Sequence, residues 1–337
     1  MPAISSGKVL VSGANGFLAT WLVRYLLEAG FAVRGAVRSP AKGARLLEAF
    51  AQYGDRFELV VVPDITKDGA FDEAVEGVNA IEHTASPFHL DAADPDELIV
   101  PAVQGTLSIL QSALTHGKSV KRIVVTSSSA AVLQIQAEPK TFSELDWNEQ
   151  APRDAAEMGR AAPAMTKYRA SKALSERAAW DFVERHKGQL NWDLVVLNPS
   201  FIYGPTIHPV PAPAQLNTSA RQFHTIFTAP ADAATLRGGA CWVDVRDLAR
   251  AHVLSLLKAE AGGERIIVSA GAYVWQEWLD AAPRSSKYQK GIPGAAKDVV
   301  HQIEYDVRKS VRVLGMAYRG MEETARDTVA DWEARGW

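Results

Sequence analysis

Up to Pro199, short apolar runs rich in valine alternate with longer stretches in which apolar positions recur at helical spacing. The short runs predict strands at residues 9–12, 32–37, 58–62, 80–83, 122–126 and 194–197. Valine-rich runs set between helical patterns argue for a parallel sheet covered by helices on both faces. After Pro199 the alternation stops: Pro205, Pro209, Pro211 and Pro213 follow closely, which predicts a loop belonging to a second region. Residues 242–245 and 266–268 read as short strands, with a helix at 248–258 returning to the first region. The tail, 315–337, reads as one helical segment. The expected fold class is therefore α/β, a doubly wound parallel sheet with a smaller C-terminal domain.

The first predicted strand runs straight into a glycine turn. Lys8-Val-Leu-Val-Ser12 is followed by Gly13-Ala-Asn-Gly16, and helical spacing begins at Phe17 and lasts to Ala29. Strand, glycine turn and helix N-terminus form the arrangement in which backbone N–H groups receive a pyrophosphate. The spacing is GxxGxxA (Gly13, Gly16, Ala19) rather than GxGxxG, and a tight turn with no ligand is the competing reading. A Rossmann-type domain is expected over 1–199, joined by 242–258, with 200–241 and 259–337 mainly forming the substrate domain.

The end of the second strand distinguishes two cofactors. A chain that holds the ribose 2′-hydroxyl of NAD offers Asp or Glu there. No acid occurs between Phe31 and Leu47, where Arg34, Arg38, Lys42 and Arg45 stand instead. Arg38, just past the strand, can grip a 2′-phosphate through two oxygens, and Lys42 follows one helical turn later. NADP(H) is the expected cofactor; a solvated basic face is the bland alternative.

Two more patterns carry chemistry. In Arg122-Ile-Val-Val-Thr-Ser-Ser-Ser129 an apolar run ends in hydroxyls, at the strand end where open α/β sheets place ligands. Turn or capping serines would look the same. Tyr168 and Lys172 stand four residues apart, so on a helix the ammonium lies beside the phenol. A tyrosine titrates near ~10, and a fixed cation is expected to bring it toward the working range. A chance pairing on an exposed helix is the alternative.

In order and spacing these motifs resemble the extended short-chain dehydrogenase/reductases. Val11-Ser-Gly-Ala-Asn-Gly-Phe-Leu-Ala19, His83-Thr-Ala-Ser-Pro-Phe88 and Asn198-Pro-Ser-Phe-Ile-Tyr-Gly-Pro205 are similar to blocks of the fungal NADPH-dependent carbonyl (methylglyoxal-type) reductases. So are Asp244-Val-Arg-Asp-Leu248 and the Leu314-Gly315 region. Dihydroflavonol and cinnamoyl-CoA reductases are near relatives.

The resemblance implies roles residue by residue. Tyr168 would donate a proton to a carbonyl oxygen, Ser128 would hydrogen-bond that oxygen, and Lys172 would hold the nicotinamide ribose and lower the tyrosine pKa. Gly13, Ala14, Asn15, Gly16, Phe17 and Leu18 would cradle the pyrophosphate, with Arg38 and Lys42 on the 2′-phosphate. Asp64 and Ile65 would meet the adenine. Thr84, Ala85, Ser86, Pro199, Ile202 and Ser219 would line the nicotinamide side. Phe88, Met165, Tyr203 and Leu216 are candidates for an apolar pocket wall, and Ser129 replaces an aromatic residue of some relatives, which enlarges that pocket. Two departures stand out. Ala102 replaces an asparagine of many members, which puts a proton relay through that helix in doubt. Lys167 and Arg169 flank the tyrosine and, pointing about 100° away on a helix, are expected to face solvent.

The implied activity is reduction of aldehydes and ketones. A nucleotide-sugar epimerase or dehydratase, or a non-catalytic NADP-sensing module, remains an alternative on the same scaffold. Composition fits a soluble enzyme. The 337 residues carry a net charge of −3 with acids and bases interspersed, so neither nucleic acid nor an anionic membrane is an expected partner. The lone Cys241 reads as a small buried hydrophobe. No run approaches ~18 apolar residues, no secretory leader is legible and no metal site is offered, so the cytoplasm is expected. The partner would be a small carbonyl compound, with the chain a monomer or a homodimer.

Overall fold

The structure, a computed structural model, describes residues 4–86, 91–283 and 287–337. The chain runs β1 (Lys8–Ser12), α1 (Phe17–Glu28), β2 (Ala32–Val37), α2 (Pro40–Ala49), β3 (Phe57–Val61), α3 (Asp72–Val75), β4 (Ala80–His83) and α4 (Asp96–His116). It continues through β5 (Arg122–Thr126), β6 (Lys140–Phe142), α5 (Gln150–Met158), α6 (Ala164–Arg185), β7 (Asp193–Pro199) and β8 (Phe201–Tyr203). It closes with α7 (Thr218–Thr228), α8 (Ala233–Arg237), β9 (Gly239–Asp244), α9 (Val245–Leu257), β10 (Arg265–Val268), β11 (Gly271–Val274), α10 (Trp275–Ala281), β12 (Ile303–Tyr305) and α11 (Met321–Ala334).

Seven parallel strands form the central sheet in the order β10-β7-β5-β4-β1-β2-β3. Alternation along each strand sends side chains to opposite faces. Val9, Val11 and Val124 pack with Leu22, Leu26 and Leu248 of α1 and α9. Leu10, Ile81 and Ile123 pack instead with Ile109 and Leu110 of α4 and Phe182 of α6. Each such aliphatic side chain, fully buried, contributes roughly 1.5–3 kcal/mol. α4 is long and apolar enough on average to cross a membrane, but polar residues interrupt it throughout, so it is not an unbroken apolar run, and half of the relevant window is buried inside the protein.

Strand order reverses between β1 and β4, where successive connections leave to opposite sides, and ligands of open α/β sheets sit at such a point. Two small sheets complete the fold. One is β11-β9-β8; the other pairs β6 with β12, bringing 303–305 beside 140–142. Trp242, Trp275, Trp278 and Trp332 pack around Tyr203 and Phe223 in a separate aromatic core. The stretch 259–337 also supplies β10 to the edge of the large sheet. The tail is not one helix from 315: Gly315 adopts φ 70°, residues 316–320 are irregular, and helix resumes at Met321.

Candidate active site

A cleft of about 820 Å³ opens at the carboxyl ends of β1, β2 and β4. Its floor is the glycine turn. Gly13 adopts φ +66°, and a side-chain carbon there would sit 3.2 Å from Ala85 Cα, so the turn and the β4 end are packed backbone to backbone. The Ser12 hydroxyl locks that approach: its oxygen accepts from the amides of Thr84 and Ala85, each at 3.0 Å. Burial, aided by Lys172, holds His83 down at about 3, hence neutral. The Ser12 hydroxyl proton is therefore free to go to His83 Nδ1, 3.0 Å away.

Above the turn, α1 begins at Phe17 with no acid in its first turn. Its first amides lack intrahelical acceptors and face outward as a site for negative charge. Ala14, Phe17 and Leu18 bury their side chains in the core, so their share in the cradle is backbone only. Asn15, Gly16, Arg38, Lys42, Asp64, Ile65, Thr84, Ala85 and Ser86 line the cleft. Asp64 accepts from Thr66 N at 3.0 Å and Thr66 Oγ1 at 2.7 Å; these bonds, with Lys67 and Arg38 nearby, hold it below the usual carboxylate range. Val37, Pro63 and Pro101, which no motif announces, also line this space. A glycine cradle, a helix N-terminus without an acid and two cations at the β2 end fit a dinucleotide with a 2′-phosphate.

At the β5 end the three adjacent serines have three different partners. Ser128, still extended at φ −162°, accepts at its oxygen from Ala130 N at 3.1 Å and shares a hydrogen bond with the Tyr168 phenol. Ser127 donates to Glu176 Oε2 at 2.5 Å. Ser129 bonds the Tyr305 hydroxyl. Glu176 is buried and also accepts from Asn198 Nδ2 at 2.6 Å and from Arg265 Nε. Asn198 Nδ2 clamps the Ser128 carbonyl at 3.1 Å as well. Arg265 donates to the carbonyls of Glu144 and Asp146 at 2.9 and 2.6 Å and lies 3.7 Å over the Trp147 ring. This cluster fixes the strand end that presents Ser128. Nothing local in the sequence announces it, except that Glu176 continues the four-residue spacing of Tyr168 and Lys172.

Lys172 Nζ donates to Ser86 Oγ at 3.1 Å and stands 6.0 Å from the Tyr168 ring centroid. Burial pushes this ammonium down to about 8, against an upward pull from Glu176. Tyr168 is raised: burial pushes the phenol up, and the Ser128 hydrogen bond only partly offsets it. The lowering expected from Lys172 is thus not what governs this tyrosine. A low-dielectric setting disfavours both charged forms, and the lysine turns toward Ser86.

Over residues 9–271 the chain matches the NAD dependent epimerase/dehydratase family. It belongs to that family. It is 35% identical to a putative NADPH-dependent methylglyoxal reductase of Candida albicans, over 97% of this chain and 98% of that one. To a ketoreductase of Aspergillus niger it is 36% identical, over 96% of each chain. The crystal structure of the Candida albicans protein Gre2 in complex with NADPH superposes at a TM-score of 0.87 with 32% identity, covering 98% and 99% of the two chains.

Several positions differ from what the sequence suggested for this family member. Tyr203 is not a pocket wall; it is fully buried, its hydroxyl 2.6 Å from that of Tyr273, because β8 lies beneath the aromatic core. Leu216 packs with Val210 and Ala220 in a small cluster of its own. Phe88 lies outside the described residues. Met165 is half-buried three residues before Tyr168, on the same side of α6. Pro199 is buried at the end of β7, and Ser219 Oγ donates to the Ile202 carbonyl at 2.9 Å; these two and Ile202, like Ser128, Tyr168 and Lys172, stand apart from the part of the cleft around Gly13. Lys167 does not face solvent: it is 4% exposed and donates to the carbonyls of Ala92, Ala93 and Arg160 at 3.1, 2.7 and 2.9 Å. Arg169 is half-buried too. The helical angle between neighbours was right, but the 92–93 segment and Arg160 cover the direction of Lys167. Ala102 is buried, leaving no polar group at that position of α4. Burial raises the Cys241 thiol to about 12, which makes it inert. No cluster that could hold a metal occurs among the described residues.

Proposed function

We propose that this chain reduces aldehydes and ketones to alcohols with NADPH. The reading is carried by the Ser128–Tyr168 hydrogen bond with Lys172 alongside, next to a dinucleotide-shaped cleft that has cations where NAD would need an acid. The family membership and the reductases among the relatives agree with it. When bound, NADPH supplies the hydride that reaches the carbonyl carbon.

The chain's own residues do the rest. The Gly13–Gly16 turn and the first amides of α1 would hold the pyrophosphate, Arg38 and Lys42 the 2′-phosphate, and Asp64 and Ile65 the adenine. Thr84, Ala85, Ser86, Pro199, Ile202 and Ser219 would stand on the nicotinamide side, with Lys172 on the ribose hydroxyls. Tyr168 gives its proton to the carbonyl oxygen. Its raised pKa keeps the phenol protonated in neutral solution, the form that reduction needs. Ser128 accepts from Ala130 N, so its own O–H is available to donate to the same oxygen as charge develops. Residues 1–199 with 242–258 form the cofactor part, and 200–241 with 259–337 mainly the substrate part. We place the enzyme in the cytosol, a point that cell fractionation tests.

Loss of NADPH absorbance with a panel of aromatic and aliphatic carbonyl compounds tests the activity. Turnover with NADPH and much slower turnover with NADH is the expected outcome. A chain that purifies with tightly held NAD and consumes no NADPH with any carbonyl compound would instead favour the epimerase reading.

A further inference from the structure

α6 places two cations beside Tyr168, and they differ. Lys167 spends its charge on three carbonyl groups, as described above. Arg169, on the other side of the tyrosine, is half-buried, yet no hydrogen bond or ion pair joins it to any described residue. The acids further along its helix and beside Tyr305 in sequence are engaged elsewhere. Glu176, seven residues on along the same helix face, holds Arg265, Asn198 and Ser127. Asp306 is bonded to Arg308, and Glu304 is exposed beside Thr141.

The surroundings of Arg169 locate it. Among the described residues its electrostatic neighbour is the Tyr305 phenol, and the Tyr305 hydroxyl bonds Ser129. Ser128, the preceding residue, meets Tyr168. Arg169 and the proton donor are therefore linked to adjacent serines of the same strand end, the tyrosine directly and the arginine through Tyr305. A guanidinium withdrawn from water is costly unless an anion accepts from it. Its planar fork of donors matches the two oxygens of a carboxylate.

We propose that Arg169 is a substrate-recognition residue that binds a carboxylate, making oxo acids the preferred substrate class. This rests on the reductase reading above. The carbonyl of such a molecule lies at Ser128 and Tyr168 while its carboxylate, a few atoms along the chain, pairs with Arg169. The hydride and proton balance is that of any ketone reduction, because the carboxylate takes no part in it.

The test compares oxo acids of increasing chain length with their methyl esters, in the wild type, Arg169→Gln and Arg169→Lys. In the wild type, kcat/KM for at least one acid should exceed that of its ester by about 10- to 100-fold, the worth of a charge-assisted hydrogen bond. Arg169→Gln should collapse that ratio, and Arg169→Lys should keep part of it. A simple carboxylate such as hexanoate should compete with the acid for the wild type and not for Arg169→Gln. Equal rates for acids and esters in the wild type, or an acid-to-ester ratio unchanged in Arg169→Gln, would overturn the proposal while leaving ester reduction, and so the reductase reading, intact. Absence of any carbonyl turnover by the wild type would sink both.

Discussion

Replacing Glu176 by glutamine asks whether this buried carboxylate tunes Lys172 as well as holding the β5 end. Tyr168, Lys172 and Glu176 repeat every four residues along one side of α6. Side chains so spaced stand roughly 6 Å apart. Opposite unit charges at that distance, with an effective dielectric of about 20, attract by ~3 kcal/mol, or ~2 pKa units. Arg265 already neutralises part of the carboxylate, so about half of that, ~1 unit, is the expected effect. Lys172 titrates at about 8, and Glu176 is the group that raises it; the variant should bring it down to ~7. The sign follows directly. The ammonium is charged below its pKa, reduction uses the charged form, and so activity is lost as pH rises through that value.

The assay is kcat/KM with NADPH as the varied substrate, which reports groups of the free enzyme, over pH ~6 to ~10. The alkaline limb should move from near 8 in the wild type to about one unit lower in Glu176→Gln. The other groups facing Lys172 do not mimic this. His83 stays neutral above about 3, Ser86 does not titrate, and the Tyr168 phenol is raised. Removing one partner of a buried ion pair costs roughly 3–5 kcal/mol, so the melting temperature should also fall. A limb that stays near pH 8 while the protein melts earlier would refute the tuning and leave Glu176 as an anchor of the strand end.

Tyr168→Phe should lower kcat by at least ~10²-fold with little change in NADPH affinity, the range for a general acid; retention of more than about a tenth of the wild-type kcat removes Tyr168 from the mechanism. Arg38→Ala should raise the KM for NADPH by about 10- to 100-fold and leave NADH kinetics nearly unchanged; an equal effect on both cofactors contradicts a 2′-phosphate contact. Ser128→Ala should cost about 10²-fold in kcat. Ser127→Ala, which loses the bond to Glu176, should act mainly through stability, read from thermal melts and kcat on one good ketone. A larger kcat loss at Ser127 than at Ser128 would reverse these assignments.

The parallel sheet was legible because valine-rich runs and helical spacing are local signals, and the observed strands begin and end within a residue or two of the predicted ones. That Gly13, Arg38 and Asp64 line one cleft was legible for a related reason. The glycine turn, Arg38 and Asp64 each follow a strand end, and strand ends are where the chain changes pattern. What stayed hidden depends on partners distant in sequence. Glu176, Asn198 and Arg265 come from one helix and two strands, and only folding shows that they share a carboxylate. Ser12 looks like a strand terminus until Thr84 and Ala85 are placed against it. Tyr203 shows the opposite failure. An aromatic residue after a strand reads equally well as a pocket wall or as core, and the position of Tyr273, Trp275 and Trp278 over β8 decides for the core.

The Ser129–Tyr305 bond ties the reaction centre to a part of the chain that is otherwise remote from it. Tyr305 reaches that centre through β12, which is paired with β6 and not with the large sheet. Residues 129 and 305 are joined by this bond into a matched pair, next to Ser128 but distinct from it. Selectivity among carbonyl compounds, proposed to involve this pair, would then be separable from selectivity between cofactors, proposed to rest on Arg38 and Lys42 in the cleft. Directed evolution of one should proceed with little penalty to the other, and a library confined to those two positions is the smallest place to begin.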